Sequence, residues 1–334
     1  MTQIAFLGVA HIHVPGFARM IAGRSDFAVS AVYDEDAARR AHWAKTTGGR
    51  EVTNVADALD GCDGIVITGQ TDRHAELVAA AVKAKKPLFV EKPLGLAGPD
   101  AYAMAEQIEQ AGIIFQTGYF QRSFQPQRKI KQLIESGTLG RITKVTASNC
   151  HSGALGDWFK KRPDAPGEDW NWMTDVKQAG VGAFGDLGTH ALDILLWWLG
   201  DATRVTAQID TVTNTYGCDE SGQGLLRLTS GATATLTAGW VDRADPVTYV
   251  VSGTEGFATV IDGKLYVTKN GKLDLTTPET DLPPAAPHAF ELFLDAVAGR
   301  EPIVPLVGAR EAAYRSAVMA AMYRGANAGT WEKP

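Results

Sequence analysis

Ile4-Ala5-Phe6-Leu7-Gly8-Val9-Ala10-His11-Ile12-His13-Val14-Pro15 is the stretch on which the reading of this chain turns. The apolar run Ile4–Val9 has the character of a buried strand. Gly8 permits a tight turn, and Pro15 suits the first turn of a following helix. A strand, a glycine-bearing turn and a helix in succession form the arrangement in which a helix N-terminus faces a dinucleotide pyrophosphate, with small residues letting the backbone approach. Only the first glycine of the usual three is kept, since Ala10 and His13 stand at the other two positions. Alone, such a turn is equally an ordinary strand-to-helix connection. Its meaning depends on what surrounds it.

Outward from the turn, Phe27–Tyr33, Gly64–Thr68, Pro87–Glu91 and Ile113–Thr117 read as further buried strands. Ala37–Lys45, Asp72–Ala84 and Asp100–Ala111 between them carry helical periodicity. Strands separated by helices predict an α/β domain on a doubly wound parallel sheet. After Gly118 the pattern changes. Helices are expected over Pro126–Ser136, Phe184–Leu199 and Ala289–Ala298, and strands over Ile142–Asn149, Thr203–Thr213, Gly222–Leu228, Thr233–Trp240, Val247–Gly253, Thr259–Ile261 and Lys264–Thr268. That succession predicts an α+β C-terminal domain on a large, mostly antiparallel open sheet. The boundary is placed at Gly118, giving domains 1–118 and 119–334. The open face of the second sheet is expected to be apolar, on Val205, Leu226, Leu228 and Leu236, and to pair with further copies of the chain.

Composition narrows the function without naming it. The 334 residues allow two domains, and 45% hydrophobic with 21% charged residues is an ordinary globular mixture. A formal charge of −6 argues against a general attraction to nucleic acid or anionic membrane. No apolar run approaches the roughly 20 residues of a membrane helix. Cys62, Cys150 and Cys218 lack metal-type spacing and read as reduced thiols. With no signal-peptide pattern at the start, the expectation is a cytoplasmic protein.

Asp34 ends the second strand, 26 positions after Gly8. A carboxylate there accepts the adenosine ribose hydroxyls and repels a 2′-phosphate, which favours NAD over NADP. Arg39 and Arg40 on the next helix could soften that preference, or simply be solvated. Gly8, Ala10, His11, Ile12 and His13 are the candidate pyrophosphate turn. His11 and His13 have two open readings: they shape the turn and cap the helix, or one contacts the pyrophosphate or the nicotinamide pocket. A His-x-His pair without a third ligand is a weak metal argument, so no metal is expected.

Lys92 follows the Pro87–Glu91 strand, at the carboxyl end where ligands of open α/β sheets bind. An ammonium there can bond a substrate hydroxyl and the nicotinamide ribose and stabilise a developing alkoxide. In the Phe184–Leu199 helix, Leu187, Ala191, Ile194, Leu195 and Trp198 form one apolar stripe, while Asp186, His190, Asp193 and Trp197 share another face. From Ile194 onward the helix is apolar nearly all round, so it is expected to be buried, and its polar groups must find partners or do chemistry. His190 suits proton transfer, and Asp186 one turn earlier can orient it. Between Asn149 and Met173, Trp158, Phe159, Trp170 and Trp172 lie beside Lys160, Lys161 and Arg162, rings and polar groups suited to a sugar or equally to packing. Asn149 and His151 precede this loop and can reach hydroxyls.

At Val90-Glu91-Lys92-Pro93-Leu94 the chain resembles the glucose–fructose oxidoreductase / inositol dehydrogenase (Gfo/Idh/MocA) family. The resemblance runs nearly the whole length. It includes Thr71-Asp72-Arg73-His74-Ala75-Glu76, Gly118-Tyr119-Phe120-Gln121-Arg122, Ser136-Gly137-Thr138-Leu139-Gly140-Arg141-Ile142, Gly185-Asp186-Leu187-Gly188-Thr189-His190, Gly253-Thr254-Glu255-Gly256 and the closing Tyr323–Trp331 segment. It implies a Rossmann first domain and a homodimer or homotetramer built through the C-terminal sheet. It also implies NAD as cofactor, held by Gln70, Thr71, His74, Glu91, Lys92 and Gln121 besides the turn and Asp34. Catalysis is implied for Lys92, Asp186 and His190, with Tyr119, Asn149, His151 and Trp172 beside them on a sugar or polyol substrate. A cis Lys92–Pro93 bond is a further expectation. The departures at Ala10 and His13 bear on how the cofactor is seated. The activity so implied is a dehydrogenase or reductase. A glycosidase working by transient oxidation on bound NAD and a non-catalytic sugar/NAD sensor are the alternatives, and the sensor reading expects the lysine or histidine to be lost.

Overall fold

The computed structural model describes residues 1–269 and 274–334. The chain divides into two compact units. The first comprises Met1–Gly118, Trp158–Gly180 and Pro287–Ser316, and the second Tyr119–Asp157, Val181–Ala286 and Ala317–Pro334.

In the first unit, six strands form one sheet: β1 Thr2–Val9, β2 Phe27–Tyr33, β3 Arg50–Val52, β4 Gly64–Thr68, β5 Leu88–Val90 and β6 Phe115–Thr117. Their order is β3-β2-β1-β4-β5-β6, and every adjacent pair is parallel. The order reverses between β1 and β4, so a crevice is expected beyond the carboxyl ends of those two strands. Ile4, Ala5, Leu7, Ile65, Val66 and Ile67 are fully buried, which is why these segments are continuous apolar runs and not alternating ones. On one face Phe17 stacks on Phe290 at 4.2 Å between ring centroids, and both meet Phe89 edge-on. Burying such a ring contributes about 1.5–3 kcal/mol, so this aromatic cluster is a principal anchor of the helix Ala289–Val297. Short elements that the sequence reading passed over are β3 and the helix Val55–Leu59.

The second unit carries β7 Ile142–Cys150, β8 Ala202–Asp210, β9 Ser221–Leu228, β10 Thr233–Gly239, β11 Val247–Gly253, β12 Gly256–Ile261 and β13 Lys264–Lys269. Their order is β13-β12-β11-β7-β10-β9-β8, antiparallel except for the β7–β10 pair. The helix Ala183–Leu199 packs on β7, β9 and β10. Two glycines in its first turns cost helix stability, about 0.5–1 kcal/mol each relative to alanine. Gly188 repays this through close approach, since a Cβ there would lie 3.2 Å from Met319 Cε and 3.4 Å from Ala238 Cβ.

The expected apolar open face needs correction. Val205, Leu226, Leu228 and Leu236 are 0%, 1%, 4% and 0% exposed and lie in the core. Strand alternation sends Gln223, Leu225 and Arg227 of β9, and Thr233, Thr235 and Thr237 of β10, to the other side. That side is therefore largely hydroxyl and amide, with Leu225 as its exposed apolar residue. Among the described residues, no helix is long and apolar enough to cross a membrane.

Candidate active site

In the first unit, the turn after β1 is pinned on all sides. Gly8 has φ +77°, and a Cβ on it would lie 2.5 Å from Gly69 Cα, so glycine is required at position 8 by both its backbone conformation and the close approach of the next turn. The Thr68 hydroxyl donates to the Gly8 carbonyl (2.6 Å), and the Thr68 carbonyl accepts from Ala10 N and His11 N, both at 3.0 Å. Trp172 is also part of this turn: its Nε1 donates to the Ala10 carbonyl at 2.8 Å and its ring lies 6.0 Å from that of His11. The indole of Trp172 is thus committed to holding the turn.

Asp34 is 3% exposed at the end of β2. One carboxylate oxygen accepts from Val9 N (2.8 Å), the other from Asp36 N (2.9 Å) and Arg39 Nη1 (3.2 Å). Arg40 Nη1 donates to the Asp34 carbonyl at 2.8 Å. Both arginines are mostly buried side chains packed on Asp34, not solvated charges. Gly8, Asp34, Gly69, Gln70 and Arg73 line one small cleft. A glycine with no room for a Cβ, beside a buried carboxylate, fits the ribose and phosphates of a dinucleotide. Thr71 is buried in the 3₁₀ turn that follows Gln70.

His13 occupies the N-cap position of the helix Val14–Ala22, yet its side chain makes no capping bond. Its Nδ1 donates to Glu91 Oε1 at 2.9 Å instead, and His11 Nδ1 lies 4.0 Å from the same oxygen. Ile12, between them, is partly buried. Glu91 is fully buried and also accepts from Lys92 N at 3.0 Å. Burial alone pushes its carboxyl up, but His11 and His13, with Lys92, hold it well below the usual carboxylate range. Glu91 supplies the third ligand that the His-x-His pair lacked: one ligand atom from each of the three residues lies within 4.8 Å of the others. The cluster could hold a metal ion, and as it stands it is a hydrogen-bonded, charge-compensated group.

Lys92 is 3% exposed just beyond β5, and the Lys92–Pro93 bond is cis. His74 is buried, and its Nδ1 donates to the Leu94 carbonyl at 3.1 Å, tying the start of one helix to this loop. Burial lowers the proton affinity of His74, so its ring is neutral near pH 7.

In the second unit, the helix Ala183–Leu199 carries Asp186 and His190. The first N–H groups of that helix, which have no partner within it, are met by Asp219 Oδ2 on Phe184 N (2.8 Å) and the Tyr323 hydroxyl on Gly185 N (3.0 Å). Asp186 Oδ2 accepts from Trp240 Nε1 at 3.1 Å. His190, one turn on, is 4% exposed, with the Phe120 and Tyr119 rings at 5.0 and 6.1 Å. The Tyr119 hydroxyl bonds Thr189 Oγ1 (2.9 Å), and Asn149 Nδ2 donates to the Leu187 carbonyl (2.8 Å). Asp186 and His190 on the helix, Asn149 on β7 and Tyr119 just before the 3₁₀ turn Phe120–Ser123 are thus brought together around the first turns of that helix. His151, at the end of β7, accepts from Gly153 N through Nδ1 (2.9 Å). Gln121, expected at the cofactor, accepts from the Tyr249 hydroxyl (2.6 Å) within this unit. The other polar residues of the buried helix face are accounted for: Asp193 is held by Arg122 through two bonds of 2.6 and 2.8 Å, and Trp197 is covered by Arg122 and Lys131.

Residues 2–119 match the model of the oxidoreductase family with an NAD-binding Rossmann fold, and residues 127–259 match the GFO/IDH/MocA C-terminal domain. This chain is a member of the Gfo/Idh/MocA family. Among curated members, levoglucosan dehydrogenase from Pseudarthrobacter phenanthrenivorans is 26% identical over 208 residues, 55% of this chain and 51% of that protein. Myo-inositol 2-dehydrogenase from Thermotoga maritima is 28% identical over 177 residues, 51% of this chain and 47% of that one. Each match therefore spans about half of the relative's own length. A solved levoglucosan dehydrogenase in complex with NADH and levoglucosan superposes with a TM-score of 0.81 at 18% identity, covering 99% of both chains, which shows the shared fold. The first unit of this Gfo/Idh/MocA member is thus an NAD-binding Rossmann fold. Arg122, Trp240 and Tyr249, which hold Asp193, Asp186 and Gln121, were not singled out from the sequence. The one signal available for Arg122 was the buried Asp193, whose charge demands a partner.

Proposed function

We propose that the protein is an NAD-dependent dehydrogenase or reductase acting on a CH–OH carbon of a sugar, polyol or inositol-like substrate. The observation that carries this reading is Lys92, a buried ammonium just beyond a parallel strand of an NAD-binding Rossmann sheet. The printed names of the relatives, dehydrogenases of anhydrosugars and inositols, support the substrate class. Nicotinamide, when bound, takes or returns the hydride of that carbon. His190, 4% exposed, takes the hydroxyl proton on oxidation and gives it back on reduction. Lys92 donates to the same oxygen and stabilises its negative charge as the proton leaves. Asp186, fixed by Trp240, positions the histidine face of the helix. Asp34 accepts the adenosine ribose hydroxyls and disfavours a 2′-phosphate.

The test is a panel of monosaccharides, inositols and glycosides with NAD and NADP, read by NADH absorbance. Substrate-dependent reduction of NAD supports the reading, and its absence across the panel refutes it. Release of free sugar from a glycoside without net NADH would instead mean a glycosidase, and binding without either reaction a sensor. We further infer assembly into dimers or tetramers through the open face of the second sheet, where Leu225 is 45% exposed among threonines and glutamines. Light scattering that gives only the 35.7 kDa mass of one chain would refute it.

A further inference from the structure

The second unit holds a cavity of about 480 Å³, walled by Phe120, Gln121, Phe124, Asn149, Thr248 and Tyr249, with Gln125, Gln127 and Ser148 beside them. This is within the ~300–1,000 Å³ range of small-molecule sites. Three features define its chemistry. Among the described residues, no charged side chain lines it. Of the two arginines next to lining residues in sequence, Arg122 is bound in bidentate fashion to Asp193 and Arg128 donates to the Pro284 carbonyl. And the polar groups that do line it are amides and hydroxyls set between aromatic rings.

Those amides are partly engaged and partly open. Gln121 Oε1 accepts from Tyr249, which leaves its Nε2 as a donor; Asn149 Nδ2 is spent on Leu187, which leaves its Oδ1 as an acceptor. Gln127 is 5% exposed, and its Oε1 has no hydrogen-bond partner among the described residues, an unsatisfied group of a kind native proteins keep few of. Donor, acceptor and aromatic face together match a ring bearing hydroxyls at its rim and C–H groups on its faces. Phe120 belongs both to this cavity and to the surroundings of His190, 5.0 Å from that ring. Phe120 is therefore a wall shared by the cavity and the surroundings of His190.

We propose that this cavity binds an uncharged polyhydroxylated group, a sugar ring or glycoside substituent beyond the reacting carbon, and that it makes the protein selective against phosphorylated sugars. The proposal rests on the oxidoreductase reading for what the bound molecule undergoes, but binding itself does not depend on it. A phosphate in this site would lose its hydration with no cation to replace it.

The experiment measures binding and turnover separately on the NAD-loaded protein. D-glucose, methyl glucoside and cellobiose are titrated against glucose 6-phosphate by calorimetry and by NADH formation. Two variants probe the cavity: Phe124→Ala, at a ring already 45% exposed and so no threat to folding, and Thr248→Trp, which fills the space. The expected result is at least about tenfold weaker binding of the phosphorylated sugar, and a further loss of up to about tenfold for cellobiose or methyl glucoside in either variant. KM should rise with kcat within about twofold and NAD affinity unchanged, because neither position touches the reacting carbon. Thermal unfolding of both variants checks that the fold is intact, and Phe124→Ala alone suffices if Thr248→Trp is unstable. Equal or tighter binding of glucose 6-phosphate, or saccharide binding untouched by both variants, overturns the proposal. Cavity-dependent saccharide binding with no NADH formation would refute the dehydrogenase reading and leave the cavity site standing.

Discussion

Asp34→Ser tests how the cofactor is chosen. The carboxylate is 3% exposed and accepts from Val9 N, Asp36 N and Arg39 Nη1, so it is a fixed anion and not a mobile surface acid. A 2′-phosphate placed against it sets like charges about 4 Å apart, which at an effective dielectric near 20 costs ~4 kcal/mol. Arg39, at 3.2 Å from Asp34, takes back part of that cost, because a guanidinium so close can turn to the phosphate. A net ~2–4 kcal/mol corresponds to roughly 30- to 1,000-fold preference for NAD. In the serine variant the repulsion is gone and Arg39 is released, so the preference should shrink to within about tenfold either way. Val9 N and Asp36 N lose their acceptor as well, which should destabilise the first unit by about 1–3 kcal/mol. Binding of NADH and NADPH is followed by energy transfer from tryptophan, which needs no knowledge of the substrate, with urea unfolding in parallel. Equal affinity of the unaltered protein for both nucleotides, or a serine variant that still rejects NADPH, would refute this account.

His190→Ala should lower kcat by about 10²–10⁴-fold, the usual loss of a positioned general base, while NADH affinity stays put; retention of more than about a tenth of turnover would pass the proton to another residue, with His151 and Tyr119 next. Arg122→Leu should destabilise the second unit by about 3–5 kcal/mol, because it strands a buried Asp193, and adding Asp193→Leu should recover much of the loss. Urea midpoints of the single and double variants read this directly, and an additive pair would argue against the ion pair. Stability should also fall in acid in two steps of distinct origin. The unfolded chain protonates His74 near its ordinary 6.5 while the folded chain resists, so that contribution is full above about 6.5 and lost below it. Glu91 is held ionised in the fold, so its contribution is present above its ordinary 4.5 and lost as pH falls through and below that value. His74→Gln should remove the upper step alone, and an unchanged acid limb in that variant would discount His74.

The parallel sheet was legible because its signal is local. A strand buried on both faces must be apolar throughout, so Ile4–Val9 and Gly64–Thr68 announce themselves without knowledge of their neighbours. The second sheet shows where locality ends. Its strands were found, and the alternation in β9 was plain, but which of its faces is covered depends on where the helix Ala183–Leu199 lies. Alternation gives the period and not the phase. Val205, Leu226, Leu228 and Leu236 were the correct set of like-facing residues assigned to the wrong side. The closing helix Ala309–Ala328 escaped for a different reason. It is rich in alanine and buries residues around most of its circumference, from Ala312 and Ala313 to Met319 and Met322, so it lacks the single apolar stripe by which a surface helix is recognised.

The same limit governs the turn after β1, where the departures from the glycine pattern had no evident purpose in sequence. His13 stands where a third glycine would let helix and strand pack closely, and its partner Glu91 is 78 positions away. Trp172, which fixes Ala10, is 162 positions away. With these contacts in view the departures belong together. A histidine at that position brings a polar ring into a buried place, and such a ring needs a partner; the fully buried Glu91 needs nearby positive charge as much as His13 needs an acceptor. Neither residue is tolerable there alone. The carboxylate that opens the Glu91-Lys92-Pro93 motif thus has a task in this chain beyond carrying Lys92. It ties the loop after β5 to the turn after β1 across the first unit's crevice, so that the two segments proposed to meet the nicotinamide and the pyrophosphate are fixed to one another before any cofactor arrives.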